Sequence, residues 1–315
     1  MTTAFVFPGQ GSQQPGMGEA FYEAWSETRT QLDALSDVLD DDLVALCADA
    51  DTEVATLRET HNAQPALFGL GVAVYEGVVA RTGVTPDYVA GHSLGHFTAL
   101  AVADTLSPAD GVRLVRRRGE LLAAAGQEAG PGTMLAVLLA DPDDVAAVCA
   151  SCNGVGVGLY NGPQQTVISG TCAGVAAVRE ELDARTRARF RELDVAAAFH
   201  SPVMASAVDD VDQVMASVDL TPASIPVVSD VSRRIYTDPE VARRDLAAQV
   251  TSAVDWHGVV GRLREEGVER FVVFPPAESL ASLVERIAPE AEVVALDTPD
   301  AIENLSSRVE VTDDG

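Results

Sequence analysis

A chain of 315 residues with 47% apolar side chains can form one good-sized domain, or a core with a subdomain, which excludes a disordered or fibrous protein. Its 48 acidic residues face 21 basic ones, every one an arginine, for a net charge of −27. The absence of lysine excludes a P-loop phosphate lysine and a Schiff-base lysine, and so negative a surface makes nucleic acid an unexpected partner.

The opening residues Met1-Thr2-Thr3-Ala4 carry no basic segment ahead of a long apolar one, so they do not read as a signal peptide. No apolar run approaches the ~20 residues of a membrane span. A soluble, cytoplasmic, monomeric protein without a membrane partner is expected. The acidity has two readings: plain solubility, or adaptation to a cytoplasm of concentrated salt. The second is favoured, because at ~1 M salt the Debye length is about 3 Å and self-repulsion is screened. It predicts a thermal unfolding midpoint that falls as salt is removed; a stable fold in salt-free buffer excludes it.

In chain order, residues 4–7 (AFVF) read as a short apolar strand ending in a Gly-rich loop, Pro8-Gly9-Gln10-Gly11-Ser12-Gln13. Residues 64–79 read as a mostly apolar helix and 87–90 as a strand. That strand runs into Gly91-His92-Ser93-Leu94-Gly95, and an apolar helix follows at 94–103. G-x-S-x-G between strand and helix is the pattern of a nucleophile elbow, with the helix N-terminal amides aimed at an oxyanion. The alternative is a structural Gly-rich turn.

Ser107-Pro108 starts a helix to about residue 125. On its wheel Arg118 lies within the stripe of Leu114, Val115, Leu121, Leu122 and Ala125, opposite Arg113, Arg116 and Glu120. A buried guanidinium needs an anion, either a structural Asp or Glu or the carboxylate of a substrate.

The pattern then changes. A strand at 134–139 precedes Asp141-Pro142-Asp143-Asp144, a capped helix start. Strands follow at 155–160 and 166–169, then a helix at 173–187 and a strand at 190–195. This β-α-β-β-α-β order is ferredoxin-like. The fold class is therefore α/β, with a mainly parallel sheet in a core of residues 1–130 and 198–315 and an inserted ferredoxin-like subdomain at 131–197. The cysteines at 47, 149, 152 and 172 include one C-x-x-C, but no second pair or nearby His completes a zinc site, so they read as packing residues and no metal is expected.

Among five histidines, His200 precedes Ser201-Pro202, a helix start whose positive end would keep the imidazole neutral as a base. A plain capping-region histidine is the alternative. His92 and His96 adjoin Ser93 in sequence without having to face its hydroxyl. Strands at 225–229, 271–274 and 293–296 complete the sheet, and the tail from Ser306 reads as polar and frayed.

Phe7-Pro8-Gly9-Gln10-Gly11-Ser12-Gln13, Gln64-Pro65-Ala66-Leu67, the Ser93 pentapeptide, Arg118-Gly119, Asn161 with Pro163, and Phe199-His200-Ser201 together resemble malonyl-CoA:acyl carrier protein transacylases and polyketide synthase acyltransferase domains over nearly the whole chain. The resemblance implies a hydrolase-like α/β core, Ser93 as acyl-accepting nucleophile, His200 as base and acid, and the backbone amides of Gln10 and Leu94 as oxyanion hole. It further implies Arg118 on a malonyl carboxylate, the Gln249 carbonyl orienting His200, and Gln64, Asn161 and Phe199 at the substrate. Phe199 would crowd an α-methyl group, so malonyl over methylmalonyl is the expected choice, though one methyl is worth only ~1–3 kcal/mol. Malonyl-CoA as donor, the phosphopantetheine thiol of an acyl carrier protein as acceptor, and no cofactor are implied as well. Carrier docking would draw on Arg185, Arg187, Arg189 and Arg191, or on Arg233, Arg234, Arg243 and Arg244, unless these form ion pairs. Rival readings are a serine thioesterase or hydrolase and an inactive acyltransferase-like scaffold. The chain departs from the family pattern at His96, usually Glu, at Asp230, often Asn, and at Phe274-Pro275-Pro276-Ala277-Glu278, usually a Gly-Pro-Gly loop.

Overall fold

Ala4, Phe5, Val6 and Phe7 are apolar without alternation, the pattern of a strand covered on both faces. In the computed structural model, which describes residues 1–306, they lie in the first strand of a central sheet, and all are fully buried. Side chains along a strand alternate between faces. Phe5 and Phe7 therefore join one core, with the Thr60–Thr82 helix, while Ala4 and Val6 join a second, with Trp256, Val259 and Phe271.

The strands are β1 (Thr2–Phe7), β2 (Tyr88–Gly91), β3 (Gly132–Leu138), β4 (Val155–Gly162), β5 (Gln165–Thr171), β6 (Arg189–Glu192), β7 (Val227–Val228), β8 (Ile235–Tyr236), β9 (Val268–Val273) and β10 (Glu292–Ala295). Among the described residues they form two sheets. The larger has the order β10-β9-β1-β2-β7-β8, parallel throughout except for the β7–β8 edge pair. Helices cover both faces, as a parallel sheet requires. The smaller sheet, β4-β5-β3-β6, pairs antiparallel at every step. Its strands are interleaved with the helices Pro142–Ser151 and Cys172–Arg185, which is the ferredoxin-like order expected.

Several elements differ from their expected bounds. The helix expected at 64–79 runs Thr60–Thr82, with Pro65 inside it rather than in its first turn. This 23-residue helix is long and apolar enough by composition to cross a membrane, contrary to the expectation of no such run, but most of its apolar stretch is buried in the protein core. The helices Ser26–Leu39, Pro239–Gln249, Trp256–Glu265 and Glu278–Ile287 were not assigned from sequence. The helix expected from Ser201 begins as a 3-10 segment, Pro202–Ala207, and becomes α-helical at Val208–Ala216. Cys47 and Cys149 are packed inside as expected, whereas Cys152 is half-buried and Cys172, at the start of its helix, is exposed, so packing does not account for all four. The tail expected to fray lies, from residue 307, outside the described residues.

Candidate active site

The elbow is built by close backbone approach at the C-terminal edge of the larger sheet. β2 ends at Gly91 beside Phe7, and the helix Gly95–Val102 starts immediately after the turn. A Cβ on Gly91 would lie 1.9 Å from the Gly95 carbonyl carbon, and one on Gly95 would lie 2.1 Å from the Phe7 oxygen. Neither glycine has a positive φ. The left-handed residue is Ser93 itself, at φ 53°. The glycines thus serve the turn through space, and the conformational cost falls on the serine.

His200 is the second residue of the site held at positive φ, 57°. Its Nδ1 lies 2.8 Å from the Gln249 carbonyl oxygen, at the last residue of the Pro239–Gln249 helix. A carbonyl only accepts, so Nδ1 carries the proton and Nε2 presents a lone pair. The Ser93 hydroxyl donates to that Nε2 at 2.7 Å. Burial, followed by the charge of Arg118, pushes the His200 imidazole down from 6.5 to about 3. The neutral ring expected from a helix N-terminus is instead produced by desolvation and a neighbouring cation. A base kept neutral in this way stays competent into acid. The acid limb of the acylation rate is therefore expected below pH 6.5, and a pH–rate profile with its limb at or above 6.5 contradicts this.

Arg118 faces inward from the helix Pro108–Ala129, 4% exposed, as its place on the apolar stripe required. Nη1 donates to Gln64 Oε1 and Nη2 to Gln249 Oε1, each at 2.9 Å, and the guanidinium lies 5.1 Å from the Phe97 ring centroid. Burial lowers it only to about 10, so it is cationic at neutral pH. Among the described residues it makes no ion pair, and its Nε has no partner. Of the two anions the sequence leaves open, no structural Asp or Glu among the described residues pairs with it directly.

Ser93, His200 and Arg118 line one cavity with Gln10, Leu94 and Phe199. Gln64 lines it too, and its Nε2 donates to Gln10 Oε1 at 3.4 Å, so it steadies both Arg118 and the Gly-rich loop. Among the described residues neither the Gln10 nor the Leu94 backbone N–H has a protein acceptor. Asn161 lies elsewhere: its Oδ1 pairs with His92 Nε2 at 2.8 Å in an adjoining groove between the Pro8–Ser12 loop and the smaller sheet. His92 and His96 do not face the Ser93 hydroxyl, in line with the sequence reading.

Two contributions were not anticipated. Gln249 acts through its side chain as well as its carbonyl: Nε2 donates to the Ser93 carbonyl at 3.0 Å and to Asp230 Oδ2 at 2.7 Å. Asp230, noted in the sequence only as a departure, is fully buried and accepts the Ser93 N–H at 3.0 Å. Chemically, the arrangement offers a hydroxyl with a neutral base, free amides and an unpaired cation, all on one cavity.

The sequence matches the acyl transferase domain model over residues 4–304. It is 36% identical over 304 residues to the malonyl CoA-acyl carrier protein transacylase of Bacillus subtilis (strain 168), covering 95% of each chain. The solved acyl-carrier-protein S-malonyltransferase of Burkholderia pseudomallei 1710b superposes with a TM-score of 0.92 at 34% identity, over 98% of this chain and 100% of that one. A chain from the solved complex of a type II PKS acyl-carrier protein with its malonyl-transacylase does so at 0.92 and 29%, over 98% and 99%. With the match spanning nearly its whole length and the architecture shared, the chain belongs to the acyl transferase domain family.

Proposed function

We propose that this protein is a malonyl-CoA:acyl carrier protein S-malonyltransferase. The observation that carries the reading is Arg118: a buried cation without a carboxylate partner, opening on the same cavity as a Ser–His pair. A malonyl group is an acyl unit with a free carboxylate at its far end, so one end suits Arg118 while the thioester carbonyl meets Ser93. The relatives carrying the malonyl transacylase name support the same reading.

In the first half-reaction Ser93 Oγ attacks the thioester carbonyl as His200 Nε2 takes its proton. The backbone amides of Gln10 and Leu94 hold the oxyanion. Collapse breaks the C–S bond, and His200 returns the proton to the departing coenzyme A sulfur. In the second half a phosphopantetheine thiol gives its proton to His200 and attacks the Ser93 ester, and the proton passes back to Ser93 Oγ. The groove beside the cavity, with Arg191 and Arg286 on its walls, suits the approach of a phosphate-bearing arm to an otherwise acidic protein. Of the eight arginines weighed for docking, Arg185 pairs with Glu181 and Arg233 with Asp255, and Arg191 is the one that lines this groove. Phe199 in the cavity wall supports malonyl over methylmalonyl. Residues 131–197 are read as the small subdomain that closes this groove, and the acidic surface as salt adaptation.

The deciding measurement is the intact mass of the protein after malonyl-CoA treatment, followed by addition of a phosphopantetheine-bearing carrier protein. A malonyl adduct absent in Ser93→Ala and discharged onto the carrier is expected. No adduct, an adduct that persists in Ser93→Ala, or carrier-independent release of malonate at the same rate overturns the reading, the last in favour of a hydrolase.

A further inference from the structure

Behind the elbow, on the side away from the cavity, lies a buried polar cluster that the mechanism above does not use. Asp230 follows β7, His96 sits on the Gly95–Val102 helix, Tyr236 ends β8, and Gln249 ends the Pro239–Gln249 helix. Asp230, His96 and Gln249 are each 0% exposed. Asp230 Oδ2 accepts from the Ser93 N–H and from Gln249 Nε2. Gln249 in turn holds the Ser93 carbonyl, one Arg118 nitrogen and, through its own carbonyl, His200. One carboxylate oxygen and one amide thus tie nucleophile, base and guanidinium to a single point.

The other half of the carboxylate meets His96. Tyr236 OH lies 2.8 Å from His96 Nε2, which leaves Nδ1 for Asp230. Asp230 Oδ1 and His96 Nδ1 lie 3.8 Å apart, too far for a hydrogen bond, and neither atom has another partner. With Tyr236 donating to Nε2, a neutral His96 carries its proton on Nδ1, facing Oδ1. The charged groups acting on the pair are Arg118 and Asp245; Asp245 lies on the Pro239–Gln249 helix and accepts from Ser232 Oγ. Burial raises the Asp230 carboxyl to about 7, against the pull of Gln249, Ser93 and Arg118, so its charge is costly.

Two features argue that this cost serves the site. Ser93 is held in a left-handed conformation that few non-glycine residues adopt, and its N–H, turned away from the cavity, ends on Asp230. By hydrogen bonds Asp230 reaches Arg118 only through Gln249, so among the described residues no carboxylate pairs directly with the guanidinium that lines the cavity. Moreover, His96 and Asp230 are two of the three positions at which the chain departs from the pattern it resembles. The usual Glu with Asn, and the His with Asp found here, each carry one negative charge and one N–H donor. Here the carboxylate sits on the loop after β7 and the imidazole on the helix.

We propose that Asp230 is a positioning residue for acyl transfer, with His96 as the buried imidazole facing its second oxygen: the pair sets the Ser93 main chain and Gln249, and through Gln249 the positions of His200 and Arg118. The proposal rests on Ser93 being the acyl acceptor, and its test is separable from the identity of the acyl group. Ser93 labelling by a fluorophosphonate reports the activated hydroxyl whatever the natural donor, and is measured beside kcat and KM for malonyl transfer and the thermal unfolding midpoint.

Asp230→Ala is expected to slow labelling and kcat by about 10²-fold, with KM for malonyl-CoA moved less than about 3-fold, because reacting groups displaced by a fraction of an ångström lose their alignment. His96→Glu alone faces two carboxylates across a buried contact and is expected to lose labelling by a comparable factor, about 10²-fold. Adding Asp230→Asn to His96→Glu restores one charge and one donor, and is expected to bring labelling within about 3-fold of the parent, a non-additivity characteristic of touching residues. If Asp230→Ala does not fold, the two His96→Glu variants decide. Labelling of Asp230→Ala at the parent rate, or a double variant no better than His96→Glu, overturns the proposal. So do unfolding midpoints that drop while labelling below them is unchanged, since the pair is then only structural. A parent labelled on Ser93 that takes no malonyl from malonyl-CoA defeats the function proposed above and leaves the labelling rates to judge Asp230.

Discussion

His200→Ala is expected to lower acyl transfer by about 10⁴-fold or more, the largest effect of any substitution outside Ser93. The Ser93 hydroxyl donates to one acceptor, His200 Nε2, and the tautomer that makes Nε2 an acceptor is set by the Gln249 carbonyl. Without the ring the alcohol keeps its proton through the attack, and only the backbone amides and binding remain to lower the barrier. The measurement is single-turnover acylation by malonyl-CoA, followed by intact mass. A residual rate that climbs with pH, as hydroxide replaces the missing base, belongs to the same expectation. A loss under about 10-fold removes His200 from the base role. Folding separates from chemistry through pH. Because the folded imidazole titrates at about 3 against 6.5, the unfolded chain binds the extra proton between those values, and this residue costs the fold stability as pH falls below 6.5. His96, lowered to about 4, acts in the same sense, whereas Asp230, raised from 3.8 to about 7, favours the fold at the acid end of its window and loses that contribution as pH rises through 7. His200→Ala is therefore expected to resist acid unfolding better than the parent while being nearly inactive.

Arg118→Ala is expected to cut malonyl transfer by about 10²–10³-fold while acetyl transfer falls by less than about 10-fold, since only malonyl carries a carboxylate for the guanidinium to hold. The loss should exceed that of an ordinary surface ion pair. Arg118 is 4% exposed and held in place by Gln64 and Gln249, so the contact forms away from bulk water. The acid limb should also move toward the ordinary histidine value, because the Arg118 charge is the second largest cause holding His200 down. Burial, the largest cause, remains, so the return is partial. Competing malonyl-CoA and acetyl-CoA rates in parent and variant provide the check, and an equal drop for both donors removes the carboxylate role.

How much of the site could be read before folding depends on how far each residue lies from what defines it. The elbow was legible because strand, Ser93 and helix fall within seventeen consecutive residues, 87–103, and Arg118 because its apolar companions recur at helical spacing. The β-α-β-β-α-β order was legible for the same reason: capping at Asp141-Pro142 and runs of β-branched residues are local signals. The two-residue edge strand β8 and the Pro239–Gln249 helix carry too little periodicity to stand out. The chemistry of the site was harder still. Asp230 meets Ser93 across 137 positions, and Gln249 meets Arg118 across 131, so no window of sequence contains either contact. What tunes His200 was misassigned for that reason: a helix start is visible in a pentapeptide, but desolvation and a nearby guanidinium exist only once distant segments pack. Local spacing sufficed for which residues carry the chemistry and for the elements that present them. Packing alone decided which carboxylate stands behind the serine, which amide steadies the arginine, and how far the histidine is pushed from its ordinary pKa, because burial and through-space charge are properties of the folded chain.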